Sequence, residues 1–220
     1  MSLPTEPFHQ IGHDAQVDDD VVLGYRYPGD TEPTRIGDYA IIRSGSIIYA
    51  NTTIGHRFQC GHHALIRGEV TIGDRCVIHH KCTLEGRLTI GRGVKIMANV
   101  YVPSATSIGD MVFIGPGTTF LNAKYPMRQD GVKGATIENG VTIGGGVTIC
   151  PGVTIGENSF IGAGSLVNKD VPANTLAYGV PAKFHPLPDS LAAGNLPEQL
   201  LPQTDLFGAQ QDDSWKSEEL

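Results

Sequence analysis

An aliphatic or apolar residue returns at every sixth position along the middle of this chain: Ile36, Ile42, Ile48, Ile54, Cys60, Ile66, Ile72, Ile78, Leu84, Ile90, Ile96, Val102, Ile108, Ile114 and Phe120. Glycine often follows it, as in Ile36-Gly37, Ile54-Gly55, Ile72-Gly73, Ile90-Gly91 and Ile108-Gly109, and a small or β-branched residue often stands two places before it. A period of six suits neither the 3.6-residue repeat of an amphipathic helix nor the two-residue alternation of a meandering sheet. It suits a solenoid in which each hexad is one short strand and one turn, with the aliphatic side chain pointing inward.

Three hexads close one turn of such a solenoid, so residues eighteen apart lie above one another. From Ile36 to Tyr125 the frame makes five coils, and Ile11, Val17 and Leu23 add one before them, separated by a polar interruption with Gly29, Asp30 and Pro33. The frame breaks after Tyr125 and resumes at Ile137, Ile143, Ile149, Ile155, Ile161 and Val167, which adds two more coils. The expected fold is all-β: a parallel β-helix of about eight three-sided coils, rising about 4.8 Å per coil if neighbours pair as strands do. Residues 126–136 fall outside the frame, and a loop ejected between regular repeats marks the binding face. After Val167 the period gives way to Asn168-Lys169-Asp170-Val171-Pro172, where the solenoid is expected to end. The domain plan is an N-terminal extension over 1–10, a β-helix domain over 11–185 with loop 126–136, and an acidic tail or cap over 186–220.

Composition narrows the function. Twenty-eight glycines and a single tryptophan suit thin aliphatic layers joined by tight turns. No stretch has the length and apolarity of a membrane span, and Met1 to Gln10 has no basic-then-apolar signal pattern, so a cytoplasmic protein without membrane insertion is expected. The net charge of −7 is concentrated in the tail, where Asp189, Glu198, Asp205, Asp212, Asp213, Glu218 and Glu219 face only Lys216. No basic patch is left for nucleic acid. Cys60, Cys76, Cys82 and Cys150 lack the close spacing of a zinc ribbon and read as reduced, buried thiols.

Stacking brings chemistry-bearing residues into columns. His62 lies under His80, with Ser44 below and Ala98 above; Ala50, Gly68, Gly86, Ser104 and Asn122 form a second column, a shallow furrow that ends just before the ejected loop. Glu85 stands beside this furrow, where it could orient a histidine or meet an ammonium group, although an exposed turn carboxylate reads equally well.

Val112-Phe113-Ile114-Gly115-Pro116, Phe120-Leu121-Asn122-Ala123-Lys124-Tyr125-Pro126, the coils from Val147 to Gly164, and Gly179-Val180-Pro181-Ala182-Lys183 together resemble the hexapeptide-repeat acyltransferases, in particular the branch that acetylates amino groups of nucleotide-linked sugars. The resemblance covers about Ile36 to His185. It implies a left-handed helix, a homotrimer with active sites between subunits, acetyl-CoA as the acyl donor, and a small sugar acceptor attacked directly in a ternary complex. Its histidine base and its motif asparagine point to His62, His80 and Asn122 as catalytic residues, although in the sugar branch the amine can attack without a protein base, the histidines then only positioning the substrate. With the furrow it sets Glu85, Gly86, Ser104 and Tyr125 at the acceptor, and it implies Gly144, Gly162, Gly164, Lys169 and Lys183 at the coenzyme, with no metal. One departure stands out: the family's Thr-Asn-Asp run reads Leu121-Asn122-Ala123 here, which removes a carboxylate that could orient an amine. Two other readings stay open. A γ-type carbonic anhydrase uses the same solenoid and would take the His62, His79 and His80 group as zinc ligands, though no third ligand at that family's spacing is evident; a non-catalytic trimeric scaffold would need none of these residues.

Overall fold

The computed structural model describes residues 8–125 and 131–192. Its short strands form three parallel sheets, one per face of a triangular prism. The first face runs from His9–Ile11 through Thr34–Ile36, Thr52–Ile54, Val70–Ile72, Leu88–Ile90, Ser107–Ile108 and Thr136–Ile137 to Thr154–Ile155. The second begins at Gln16–Val17 and the third at Val22–Tyr25, each gaining one strand per coil. Eight complete coils result, the number expected from the period.

The hexad residue forms the core because each strand is too short to bury anything else. Ile42, Ile48, Ile66, Ile78, Leu84, Ile96, Ile114 and Phe120 are wholly buried, each above its counterpart one coil away. Burying such a side chain contributes roughly 1.5–3 kcal/mol, and the column repeats it at every layer. The residue two places earlier fills the corners, with Ala40, Phe58, Cys76, Val94, Val112 and Val141 buried along one of them. Cys60, Cys76 and Cys82 are buried free thiols and Cys150 is half-buried; burial pushes Cys60 and Cys76 up to about 12 and Cys82 up to about 11, which keeps them protonated and inert.

Most corners turn through one residue in the left-handed region, among them Asn51, Glu69 and Arg87 at φ near +60°. The extended residues on either side donate and accept backbone hydrogen bonds with the coils above and below. The register is eighteen residues along the regular coils, as in Val70↔Leu88 and Leu84↔Val102. It lengthens twice. Between the first and second coils it is twenty-five, as in His9↔Thr34, and between the sixth and seventh it is twenty-nine, as in Ser107↔Thr136.

Three boundaries differ from those expected, the first at the start, where the strand His9–Ile11 begins inside the extension expected over 1–10. Thr136, assigned to the ejected loop, opens a first-face strand, and Ala135 before it is buried and accepts the Ser107 N–H; residues 126–130 lie outside the described part. Stacking also continues past Val167: Val171 bridges Ile155, and Thr175–Tyr178 pairs parallel with Phe160–Ile161 at a shortened register. A hairpin then folds Lys183–Pro186 back antiparallel. The aliphatic frame is lost there, but the backbone ladder still has donors and acceptors to satisfy. Of the proposed cap, a single helical turn, Asp189–Ala192, is described; residues 1–7 of the extension and the tail from 193 lie outside the described residues. No described helix is long and apolar enough to cross a membrane.

Candidate active site

The three edges of the prism carry three different chemistries. Along the edge between the first and second faces, polar side chains tie one coil to the next: Asp38 accepts from the His13 N–H at 2.8 Å, Asp74 from His56 at 2.7 Å, Asp110 from Arg92 at 3.0 Å and Asn139 from Asp110 at 2.8 Å. In the same ladder, His56 accepts the Asp38 N–H through Nδ1 at 3.0 Å. These acids and this histidine hold turns together, a structural task.

The edge between the second and third faces carries the histidines. Backbone bonds run from Lys81 N–H to His62 O and from Asn99 N–H to His80 O, so the two imidazoles occupy successive layers as the eighteen-residue period requires. Both are exposed. His79, one residue earlier, is half-buried, its ring 6.2 Å from that of His80. Burial, with smaller effects from Lys95 and His80, holds its pKa below the ordinary 6.5, so it is neutral at neutral pH. The sequence reading left His79 out of the catalytic pair, because period alone does not report how deeply a turn residue sits. Gly144, Gly162 and Gly164 continue this same edge through the seventh and eighth coils.

The third edge carries the furrow. A Cβ on Gly86 would stand 2.6 Å from the Gly68 carbonyl oxygen, and one on Gly68 would stand 2.9 Å from that of Ala50. The glycines are therefore required by the approach of one coil to the next, and the smooth floor is a by-product. Asn122 tops the column, its Nδ2 donating to Ser104 Oγ at 3.1 Å and to Ser104 O at 3.3 Å. Below it opens a groove of about 310 Å³ lined by Tyr27, Asp30, Arg67, Glu85, Arg87 and Ser104, among others. Glu85 accepts from Arg67 Nη1 at 2.6 Å, so its partner is an arginine and not a histidine. Both chain insertions leave the prism at this edge: the first-coil insertion brings Tyr27 and Asp30 to the lower end, and the second leaves after Asn122 and returns at Lys133, whose N–H bonds Asn122 O. Tyr125, expected at the acceptor, is exposed in that segment.

The sequence profile of the bacterial transferase hexapeptide family matches residues 88–122 and 134–169, and that of the hexapeptide repeat of succinyl-transferase matches 69–104. These spans cover the His80 layer, the upper furrow from Gly86 to Asn122 and the glycine coils, with the gap at the ejected segment. The chain belongs to the hexapeptide-repeat acyltransferases. An acetyltransferase-assigned protein of Bacillus cereus is 27% identical over 80% of this chain and 88% of its own, with a TM-score of 0.54. UDP-N-acetylglucosamine acyltransferases from Bacteroides fragilis and Arabidopsis share the fold at TM-scores of 0.67 and 0.61; they are 20% and 19% identical over 84% and 83% of this chain, and 74% and 71% of theirs. No curated protein matches the chain.

Within this hexapeptide acyltransferase the candidate residues divide between two edges. His62, His80, Gly144, Gly162 and Gly164 lie on one; Gly86, Ser104 and Asn122 lie on the other, with Glu85 beside them and Lys169 two coils above. One whole face separates them, about 15–20 Å for a stretch of six extended residues. Counting hexads in threes from Ile36 already assigns each residue to its edge. Two of the glycines have packing reasons: a Cβ on Gly144 would stand 2.6 Å from Ala163 N, and one on Gly162 would stand 2.8 Å from Tyr178 Cβ. Gly164, at φ +69°, has open space where its Cβ would be. The Gly179 to Lys183 turn folds across this edge, with Leu166 N–H bonded to Gly179 O and Ala182 N–H to Leu166 O, and Lys183 is exposed beside it.

The groove's aromatic wall was not legible in the sequence. Tyr25, Tyr27 and Tyr49 cluster with ring centroids 4.8–6.3 Å apart, and Arg67 Nη2 donates to the Tyr27 hydroxyl at 3.1 Å. Hydrogen bonding with Tyr27, together with burial, raises Tyr49 to about 12. The polar interruption after the first coil was the available signal.

Proposed function

We propose that this protein is an acetyl-CoA-dependent N-acetyltransferase whose acceptor is a nucleotide-linked amino sugar, acting in the cytoplasm as a homotrimer with its sites between subunits. The observation that carries this reading is the division of the candidate residues between two edges. One edge offers imidazoles, an open glycine turn and the Gly179 to Lys183 signature, a set suited to a thioester donor; the other offers a polar groove under Asn122, suited to an acceptor. A single chain keeps the two apart, so a complete site needs the histidine edge of one subunit against the groove edge of its neighbour.

In the reaction the acceptor amine attacks the thioester carbonyl carbon. A C–N bond forms, the C–S bond breaks, and coenzyme A leaves as the thiol after taking up the proton that the amine loses. His62 or His80 carries that proton, imidazole being the side chain suited to proton transfer at neutral pH; His79 lies beside His80, its ring 6.2 Å away. The Asn122 carboxamide positions the nucleophile. A hydroxyl acceptor would use the same geometry. No acyl-enzyme is required for direct attack, and the sequence offers no nucleophilic serine or cysteine in a recognisable triad.

The anhydrase reading would need zinc ligands from a second subunit, because no three His, Cys, Asp or Glu side chains converge among the described residues. A scaffold would leave the mixed-charge groove without a purpose. Calorimetry with acetyl-CoA on the metal-analysed full chain tests the proposal. Saturable binding near one coenzyme per subunit is expected. Zinc at stoichiometry without coenzyme binding points to the anhydrase, and neither points to the scaffold.

A further inference from the structure

The groove under Asn122 has a lower end built by the first-coil insertion, and that end is organised before any ligand arrives. Asp30 Oδ2 accepts the Tyr27 N–H at 2.6 Å and Asp30 N–H returns a bond to Tyr27 O at 3.1 Å. The insertion is pinned to the next coil by Ala50 N–H to Tyr25 O and Asn51 N–H to Glu32 O, at 2.9 and 2.8 Å. Tyr27 leans on Tyr49 at 5.1 Å and its hydroxyl is held by Arg67, yet the residue is still 45% exposed. An aromatic side chain so fixed, with part of its surface open to a groove, offers a stacking platform whose ordering cost is already met.

The order of groups up the groove restricts what it can hold. Tyr27 stands at the bottom, then the amide of Asn51 and the carboxylate of Glu69, then the guanidinium of Arg87, then Ser104 and Asn122. The carboxylates of Asp30 and Glu85 are occupied by the Tyr27 N–H and by Arg67, and among the described residues Arg87 forms no ion pair. From the Asn51 coil to the Asn122 coil the rise is about 19 Å, at about 4.8 Å for each of four steps. That is too long for a single sugar ring.

We propose that the first-coil insertion is the acceptor-recognition element of this enzyme: Tyr27 stacks on a nucleobase, Asn51 and Glu69 take the ribose hydroxyls, Arg87 meets the diphosphate, and the sugar amine reaches Asn122. This rests on the acyltransferase reading above and adds to it the residues that select the acceptor. The chemistry of each step is general: bases stack on aromatic rings whatever their sequence, carboxylates accept from vicinal hydroxyls, and guanidinium binds phosphate oxygens.

The test titrates UDP, dTDP and GDP, and separately inorganic pyrophosphate and acetyl-CoA, into the full chain and its Tyr27→Ala and Tyr27→Phe variants. At least one nucleotide is expected to bind, about tenfold or more weakly in Tyr27→Ala and within about threefold of wild type in Tyr27→Phe, because stacking needs the ring and not the hydroxyl. Pyrophosphate and acetyl-CoA are expected to bind all three forms alike. Equal nucleotide affinity in Tyr27→Ala overturns the proposal, as does an equal loss in Tyr27→Phe. Absence of nucleotide binding by a protein that binds acetyl-CoA overturns it while leaving the acyltransferase reading intact; loss of acetyl-CoA binding as well overturns that reading. Should Tyr27→Ala not fold, Tyr27→Leu keeps an apolar contact with Tyr49 without the aromatic face and is read in its place.

Discussion

Asn122 and His79 show how one position in a repeat acquires chemistry while its counterparts stay structural. Asn122 closes a column whose lower members are alanine, glycine and serine, and its carboxamide bonds Ser104 on the groove side of the prism. Because that bond adds nothing to the buried core, Asn122→Ala is expected to lower turnover on the order of 10²-fold or more, the usual loss for a residue acting directly at a reacting group. Its oligomeric state by light scattering is expected to match wild type, and wild-type turnover would remove Asn122 from the site. His79 tests burial instead. Its folded pKa lies below the unfolded 6.5, so the unfolded chain takes up the proton first. The resulting stability is complete above pH 6.5 and is lost as pH falls from there toward the folded pKa. In His79→Gln that share of the loss is absent, so the drop in denaturant midpoint between about pH 7.5 and about pH 5.5 is expected to be smaller than in wild type.

At the scale of the coil, the glycines separate into those demanded by stacking and those demanded by the turn. A Cβ on Gly115 would collide with the backbone of Gly144 and Gly145 in the coil above, whereas Gly117, at φ +68°, has nothing within 4 Å of where its Cβ would lie. Gly115→Ala is expected to destabilise the fold by about 1–3 kcal/mol, as overpacking against immovable backbone does. Gly117→Asn is expected to cost well under about 1 kcal/mol, since asparagine tolerates the left-handed region. Urea denaturation of the two variants checks the contrast. The same distinction governs the candidate coenzyme glycines, where Gly144 and Gly162 are needed by the coils and Gly164 keeps an open surface.

The whole molecule brings the columns into relation. Since the histidine edge and the groove edge of one chain are a face apart, the trimer proposal predicts complementation. A chain with both His62→Ala and His80→Ala and a second chain with Asn122→Ala, each expected to be impaired alone, should recover part of the wild-type rate when refolded together into mixed trimers. Mixtures no more active than the separate variants would place both sets of residues to work within one subunit. The aliphatic period alone was enough to determine the β-solenoid, its eight coils, the columns His62 over His80 and Ser104 under Asn122, and the place of the ejected loop, because each follows from counting along a backbone that repeats every eighteen residues. Three things were decided only by tertiary structure. Glu85 found Arg67, His79 found a half-buried setting, and the first-coil insertion folded Tyr27 down onto Tyr49 at the foot of the groove. Each depends on side chains meeting across coils or from outside the repeat, and a period specifies where a residue stands in the stack without specifying what leans over it.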